Sequence, residues 1–281
     1  MKKKPILLGA HMSIAGGIEN AYLSASSIGC TAVQFFTHSN RQWSAKPLTE
    51  DTIKKAEIAR KETQIYADVV HCSYLINVAS TNPETRIKSK NLLRLELQNC
   101  DDLKIPYLVL HPGTNPDPVE GMGLISETLD ELLKDSLTSI LLETMAGQGT
   151  QIGSKFEQLA TIRNNCSQKQ KIGVCADTCH LWSAGYDFSN EKSYAAVWKE
   201  FDSILGIKNL KAFHFNDSKK ELGSHVDRHA EIGEGTIPLE AFSLIMNDPQ
   251  FSSLPKVLET PKKELADYAK NIKLLKSLVN E

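Results

Sequence analysis

Short apolar and β-branched runs alternate along the chain with segments whose apolar residues recur at helical spacing. There are eight such runs: Ile6–Ala10, Thr31–Phe36, Ala67–His71, Tyr107–His111, Ser139–Glu143, Ile172–Asp177, Leu210–Phe215 and Lys256–Glu259. This alternation is typical of βα units, in which a helix returns the chain from one parallel strand to the next. The pattern therefore predicts an α/β protein with a parallel sheet.

Three of the intervening helices are marked by their own residues. Asn82 is placed to cap a helix with Pro83 in its first turn, and Leu93, Leu97 and Cys100 then share one face. Two further stripes have the same spacing: Tyr194, Val197, Phe201 and Ile204, and Leu265, Tyr268, Ile272, Leu275 and Val279. Each stripe predicts a helix packed on the outside of the sheet.

The strand ends follow one another at intervals of 26 to 45 residues. A βαβ unit takes about 30 residues or more, so the rhythm fits eight consecutive units. No Pro/Ser-rich linker or low-complexity segment interrupts it. We therefore expect one domain over residues 1–281, a single (β/α)8 TIM barrel, with two domains or an open doubly wound sheet as the alternatives.

The third to eighth strands all end on a residue that can titrate or bind a metal: His71, His111, Glu143, Asp177, His214 and Glu259. A single histidine or glutamate at such a place is more often structural, but six at equivalent positions are not readily explained by chance. In a barrel all six meet at the C-terminal mouth, where this fold builds its active sites.

Carboxylates crowded together in a buried site would be costly without a cation, because desolvation and mutual repulsion both oppose ionisation. Imidazole and carboxylate ligands favour Zn2+, with Mn2+ or Fe2+ as alternatives, over an all-oxygen Mg2+ or Ca2+ site. Six ligands exceed the three or four that one zinc usually takes, so at least two metals are expected.

Two short patterns add further ligands. His180 follows Asp177 at the third position, and Asp227 and His229 are two apart, which directs both to one side if the segment is extended. Cys175 and Cys179 lie beside these residues, and we interpret them as small buried spacers.

Composition limits the kind of partner. The 281 residues carry 32 Lys and Arg against 34 Asp and Glu, a formal charge of −2. That balance argues against a generally basic surface that coats nucleic acid. The basic start at Met1–Lys4 is followed by an apolar stretch too short for a signal peptide, no run is long enough to span a membrane, and the six cysteines contain no CxxC pair. We expect a cytoplasmic protein without membrane contact.

Blocks of sequence spread over almost the whole chain resemble the endonuclease IV family of apurinic/apyrimidinic (AP) endonucleases. They are His71–Asn77, His111–Gly113, Glu143–Gly149, Asp177–His180, His214–Lys219, Asp227–His229 and Glu259–Pro261, together with Gly9–His11 and Asn40–Trp43. They stand in the family's order, which makes the resemblance specific.

The resemblance implies a trinuclear zinc enzyme. It places His71 and His111 on the first zinc, makes Glu143 the bridge to the second, and completes the second with Asp177, His214 and Glu259. It assigns the third zinc to His180, Asp227 and His229. Glu143, Asp177 and Glu259 are the expected catalytic carboxylates, and Mn2+ is an alternative ion at some of the sites.

The implied reaction is hydrolysis of duplex DNA on the 5′ side of an abasic site, leaving a 3′-hydroxyl and a 5′-deoxyribose phosphate, with additional cleaning of blocked 3′ ends. We hypothesise that metal-bound hydroxide attacks while the third metal holds the scissile phosphate. Arg41 and Tyr74 are expected to fill the space left by an extruded nucleotide, and Arg228 to contact a phosphate. The family expectation is a monomer, and three Zn2+ would change the formal charge from −2 to +4, with the positive charge at one face.

Departures from the family pattern are small. Ala176 and Phe215 replace other apolar residues and supply no ligand, whereas His38 stands where a basic residue is more usual and is expected to alter a DNA contact. The alternative enzyme class is a metal-dependent sugar isomerase or epimerase, because two metals on the same barrel can polarise a carbohydrate. A non-catalytic metal-carrying or DNA-binding module is the third interpretation.

Overall fold

The computed structural model describes residues 5–280, and a closed ring of eight parallel strands forms its centre. The ring consists of β1 (Leu8–His11), β2 (Ala32–Phe35), β3 (Ala67–His71), β4 (Tyr107–Leu110), β5 (Ser139–Glu143), β6 (Ile172–Asp177), β7 (Leu210–His214) and β10 (Lys256–Leu258). A short antiparallel pair, β8 (Asp217–Ser218) and β9 (His229–Ala230), lies between β7 and β10 in the chain. Because β1 pairs with β10, the barrel closes, and the prediction of a TIM barrel rather than an open sheet is confirmed.

Helices alternate with the barrel strands. They are α1 (Glu19–Ser27), α2 (Glu50–Glu62), α3 (Pro83–Leu103), α4 (Pro118–Leu132), α5 (Phe156–Asn164), α6 (Thr178–Ala184), α7 (Glu191–Leu205), α8 (Leu239–Asn247) and α9 (Leu265–Ser277). The three helices that the sequence predicted are α3, α7 and α9. As expected, Oδ1 of Asn82 accepts from the first free backbone N–H groups of α3.

Several predicted boundaries were wrong by one or two residues. In particular, β4 and β10 end at Leu110 and Leu258, so His111 and Glu259 each lie one residue past a strand. The first strand begins at Leu8 rather than Ile6, because the hydroxyl of Thr31 donates to the carbonyl of Ile6 and accepts from the N–H of Leu8. The last helix ends before Val279, since the N–H of Leu278 bonds three residues back to Leu275 and tightens the final turn.

The barrel interior is layered. Val69, Val109, Leu141, Cys175 and Ala212 form an apolar layer, and all are at most 1% exposed. Side chains on one face of a strand recur every second residue, so the inward positions two residues later lie one level higher. Those positions are His71, His111, Glu143, Asp177 and His214. This layer, the apolar floor, therefore separates the strand-end residues from the rest of the barrel interior.

The rest of the core lies between the barrel and its helices. It contains Leu93, Leu97 and Cys100 of α3 and Phe201 of α7, as their stripes predicted. All six cysteines are buried and free. Among residues 5–280, no helix combines the length and the apolar character that crossing a membrane requires. Met1–Lys4, the basic start, lies outside the described residues.

Candidate metal and catalytic site

The strand-end residues form one cluster at the C-terminal mouth of the barrel. Their side chains are almost fully buried apart from Glu259, which is 11% exposed, and His111, which is 30% exposed. A layer of apolar side chains lies below them and loops surround them above. The six strand-end residues that the sequence predicted thus meet in a site that is enclosed on one side and open on the other.

Glu143 lies at the centre of the cluster, and its two carboxylate oxygens face different groups. Oε2 is 3.2 Å from Nε2 of His71 and 3.1 Å from Nε2 of His111. Oε1 is 3.0 Å from Nδ1 of His214 and 3.2 Å from Nδ1 of His180. Burial opposes ionisation of Glu143, but the surrounding histidines outweigh it and hold the pKa of this carboxyl well below its usual range. A carboxylate whose two oxygens face different imidazoles is suited to bridge two cations.

Four of the candidate ligand histidines have one ring nitrogen tied by a hydrogen bond. In three of them Nδ1 meets a backbone carbonyl: His71 with Cys72 at 2.7 Å, His180 with Thr144 at 2.8 Å and His229 with Glu259 at 3.2 Å. His214 is held through Nε2, which donates to Oε1 of Gln34 over 2.8 Å. Since a neutral imidazole has a single N–H, the other nitrogen of each ring is free to bind an ion. Metal-binding histidines are oriented by hydrogen bonds of this kind.

His180, Asp227 and His229 form a separate group. Nε2 of His180 is 3.1 Å from Oδ2 of Asp227, and Nε2 of His229 is 3.3 Å from Oδ1. Both nitrogens are nevertheless buried without a hydrogen-bond partner anywhere in residues 5–280. Asp227 lies two residues before His229, the first residue of β9, and the two side chains lie on one side of this segment. Two orphaned nitrogens beside a carboxylate fit a cation.

Asp177 lies between His214 and His229, whereas Glu259 lies beside His214. Oδ1 of Asp177 accepts from the N–H of His180 at the start of α6, and Oδ2 accepts from Asn216 over 2.6 Å. Oδ2 is also 3.8 Å from Nε2 of His229. Oε2 of Glu259 is 3.4 Å from Nδ1 of His214. Asp177 is therefore placed to serve either neighbouring group, whereas Glu259 belongs with His214.

The distances between ligand atoms test whether these residues suit a metal. A tetrahedral zinc with bonds of about 2.0 Å separates neighbouring ligand atoms by about 3.3 Å. The pairs already described at Glu143, Asp227 and Glu259 lie 3.0–3.4 Å apart. Ligand atoms within 4.8 Å of one another form these sets: His71, Glu143, His214 and Glu259; His180, Asp227 and His229; Glu143, Asp177 and His180; and Asp177, Cys179 and His229. The donor set fits zinc in both chemistry and spacing.

Cys179 is the one thiol in these sets. Burial raises the pKa of the Cys179 thiol to about 12. Burial likewise raises the pKa of Cys175, to about 11, and its side chain belongs to the apolar floor. Both thiols occupy buried positions, in keeping with their interpretation as spacers.

Gln34 is a site residue that the sequence prediction missed. It is fully buried on β2, and its Nε2 donates to Oε1 of Glu259 over 2.6 Å while its Oε1 holds His214. Nδ1 of His11 lies 3.0 Å from the same amide nitrogen. One amide thus orients two candidate ligands. A polar residue inside the otherwise apolar strand Ala32–Phe35 was the available signal.

The three predicted DNA contacts are exposed and lie on loops above the cluster. Arg41 and Tyr74 line one cavity of about 550 Å³, which also reaches Glu259. The Tyr74 ring, 54% exposed, packs edge-on against His71 with ring centres 5.2 Å apart. Arg228 lies on a different segment, between Asp227 and His229. The structure therefore brings Arg41 and Tyr74 together at the rim and leaves Arg228 apart from them.

Comparison with known proteins agrees with this architecture. The family model described as a xylose isomerase-like TIM barrel matches residues 23–278. A probable endonuclease 4 of Chloroflexus aggregans is 44% identical over 277 residues, which cover 96% of this chain and 97% of that protein. One from Geotalea daltonii is 44% identical over 280 residues, 98% of each chain.

Solved structures give the same assignment. Endonuclease IV from Thermus thermophilus superposes with a TM-score of 0.86 at 31% identity over 98% of each chain. A D-tagatose 3-epimerase-like protein superposes with a TM-score of 0.74 at 21% identity, which shows the shared fold alone. The chain is a member of the xylose isomerase-like TIM barrel family. Within that class it belongs to the endonuclease IV family, as its sequence blocks predicted.

Proposed function

We propose that this protein is a zinc-dependent AP endonuclease that hydrolyses the phosphodiester 5′ to an abasic site in duplex DNA. Its relatives carry the name endonuclease 4 over almost the whole chain. The observation that carries the proposal further is the orientation of the histidines: four rings are tied at one nitrogen, and the free nitrogens face carboxylates. Such an arrangement suits a multinuclear metal centre at the mouth where the DNA backbone is cut.

Nine residues are proposed to hold three zinc ions. His71 and His111 bind the first, Glu143 links it to the second, Asp177, His214 and Glu259 complete the second, and His180, Asp227 and His229 bind the third. Mn2+ is the alternative ion. When bound, such ions lower the pKa of water and stabilise the attacking and leaving oxygens of an in-line displacement.

The protein's own groups prepare this chemistry. The carboxylates of Glu143, Asp177 and Glu259 hold the cations and orient the attacking water toward the phosphorus. Gln34 fixes the rotamer of Glu259 by donating to Oε1, which leaves Oε2 facing the cluster. The apolar layer below the cluster excludes bulk water from that side and strengthens the electrostatic interactions above it.

Substrate selection is proposed to act at the rim. A nucleotide without a base is cheaper to extrude than an intact one, which favours the damaged site before any specific contact forms. Tyr74 and Arg41 share the cavity beside the cluster and are placed to fill the gap in the duplex. Arg228 contacts a backbone phosphate close to the third zinc group.

The products of this reaction are a 3′-hydroxyl and a 5′-deoxyribose phosphate. The same centre is proposed to trim blocked 3′ ends, because they present a similar phosphodiester or phosphomonoester. The enzyme is proposed to act as a monomer. A sugar isomerase or epimerase would use two metals and has no role for the His180, Asp227 and His229 group or for Arg41 and Tyr74, so the nuclease is the better fit.

Cleavage of end-labelled duplexes tests the proposal. One duplex carries an abasic site, a second carries a reduced abasic analogue without the aldehyde, and an undamaged duplex is the control. We expect both damaged duplexes to be cut on the 5′ side, chelation to stop cutting, and Zn2+ to restore it. Cutting of the natural site alone would indicate Schiff-base chemistry and would reject hydrolysis.

A further inference from the structure

Arg41 and Tyr74, the residues proposed to fill the gap in the duplex, lie on two different loops, and both loops contact helix α3. The Arg41 loop (residues 36–49) joins β2 to α2, and the Tyr74 loop (residues 72–82) joins β3 to α3. Glu96 lies on α3 with its side chain 2% exposed, below both loops. None of the predicted ligands is on α3, so this helix contributes to the rim without supplying a ligand.

A single oxygen of Glu96 binds both loops. Oε1 is 2.6 Å from Nε2 of His38 in the Arg41 loop and accepts from the N–H of Ser73 in the Tyr74 loop over 3.1 Å. The hydroxyl of Ser73 then donates to the carbonyl of Asn40 over 3.1 Å. His38, Glu96, Ser73 and Asn40 form one continuous chain of hydrogen bonds. Asn40 and Ser73 immediately precede Arg41 and Tyr74.

We infer that the His38–Glu96 pair is a positioning element that locks the Arg41 loop against the Tyr74 loop and so sets the affinity for damaged duplex. The inference rests on the proposed function, because it assigns a purpose to the distance between two proposed DNA contacts. A buried carboxylate without a cationic partner would be costly, so the ion pair forms when His38 is protonated. When His38 loses its proton, the attraction that holds the two loops is weakened.

Among the groups around this pair, His38 is the one whose charge is expected to change near neutral pH. Burial opposes its charge, but the hydrogen bond and negative charge of Glu96 outweigh burial and raise the pKa of His38. Within residues 5–280, the other titratable groups that face Glu96 are two thiols, Cys72 on the Tyr74 loop and Cys100 on α3. Burial raises the pKa of both thiols well above the usual value, so they stay neutral.

The sign of the pH effect follows from linkage. The pKa of His38 is higher in the folded protein than in the unfolded chain, where it is about 6.5. The stabilisation of the two loops is therefore complete below about pH 6.5 and is lost as pH rises through the folded-state pKa. Affinity for abasic duplex should fall over the same window.

Variants of the pair test the inference in the full-length protein with its metals. His38→Gln and Glu96→Gln keep the size of the side chain and remove the charge. We expect each to raise KM for the abasic duplex about tenfold at pH 6.5, with kcat within about twofold and metal content unchanged. His38→Lys keeps a cation in reach, so it should retain a low KM that no longer changes with pH near neutrality. Glu84→Gln, which breaks the exposed Lys88 pair on the same helix, is the matched control.

A readout without substrate separates this inference from the proposed function. Imidazole signals of His38 and the protection factor of the Ser73 amide, which donates to Glu96, are followed by NMR between pH 5.5 and 8.5. Protection that falls as His38 deprotonates, and that in Glu96→Gln is lower and no longer changes with pH, supports the inference even if the wild type cuts no abasic DNA. Unchanged protection in Glu96→Gln, or an unchanged KM in His38→Gln of an active enzyme, overturns it.

Discussion

The candidate metal cluster and the rim above it differ in how far their side chains are buried. The strand-end residues of the cluster are buried apart from the partly exposed His111 and Glu259, and Glu143 lies within 3.2 Å of four imidazoles. Arg41 and Tyr74, by contrast, are exposed on loops. The ring of Tyr74 contacts three other rings, those of Phe36, His71 and His111. Under the proposed function, the buried cluster is the part of the site that performs chemistry and the exposed rim is the part that selects the DNA.

Burial in the cluster and exposure at the rim predict different consequences of mutation. A group that holds charge in a dry environment acts on the transition state, so its loss lowers kcat. A group that fills space in the duplex acts on binding, so its loss raises KM. The following predictions use that division, from the largest expected effect to the smallest.

Glu143→Gln should be the most damaging substitution. It removes the negative charge that both halves of the cluster share, at a loss of several kcal/mol of transition-state stabilisation, which corresponds to a drop in kcat of about 10³-fold or more. Steady-state cleavage of an abasic duplex measures it, with bound metal determined in parallel. Glu131→Gln, on the surface of α4, is the control and should behave as wild type. Full activity with full metal content in Glu143→Gln would contradict the bridging role.

Gln34→Leu should have the next largest effect. The substitution keeps the volume but leaves Glu259 and His214 without their shared hydrogen-bond partner. Partners that orient metal ligands typically contribute about 10- to 100-fold in metal affinity or activity, and we expect a loss in that range. Competition with a chromophoric chelator measures zinc affinity directly. Gln98→Leu, on the exposed side of α3, is the control. Equal zinc affinities in the two variants would show that Gln34 does not orient the metal ligands.

Arg41→Ala and Tyr74→Ala should change KM rather than kcat. Contacts that stack on or fill an opened duplex contribute about 1–3 kcal/mol each, so KM should rise roughly 10- to 100-fold. Substrate titrations with the abasic duplex separate the two constants. Arg94→Ala and Tyr66→Ala remove exposed residues of the same types away from the rim cavity and should leave both constants alone. A fall in kcat with unchanged KM would place Tyr74 in the chemistry instead.

Arg228→Ala should have the smallest effect. Its guanidinium is exposed, and its assigned partner is a single phosphate, so binding should weaken by about threefold, uniformly across sequences. The plot of log binding constant against log salt should become less steep by about one unit. Fluorescence anisotropy at several salt concentrations checks this. An unchanged slope would mean that Arg228 meets no phosphate.

The same division explains how much was predictable from sequence. Strand-end residues repeat at the spacing of βα units, and a side chain that follows an apolar strand points into the mouth, so His71 and His214 were found by position. Asp227 and His229 were predicted from their spacing of two residues. Gln34 and Glu96 were not predicted because each contacts a residue far away in the chain. Gln34 bonds to Glu259, 225 positions on, and Glu96 bonds to His38, 58 positions back. No local pattern reports such contacts.

Loop geometry was the least predictable part. Resemblance to the family singled out Arg41 and Tyr74, but nothing in their neighbourhoods shows that Asn40 and Ser73 bond to each other. His38 illustrates the point, since the sequence comparison treated it as an altered DNA contact, whereas in the structure it is turned toward Glu96 beneath the loop. Contacts of this kind depend on packing between loops, which the order of residues does not specify.

Metal stoichiometry measured by native mass spectrometry tests the central claim most directly. The protein purified without chelator should carry three zinc ions per chain, and removing them should abolish cleavage of the abasic duplex. His229→Gln should lose one ion selectively, because its orphaned Nε2 belongs to the group with His180 and Asp227. A chain that cleaves the duplex while binding one ion or none would contradict the assignment of these residues to a trinuclear centre.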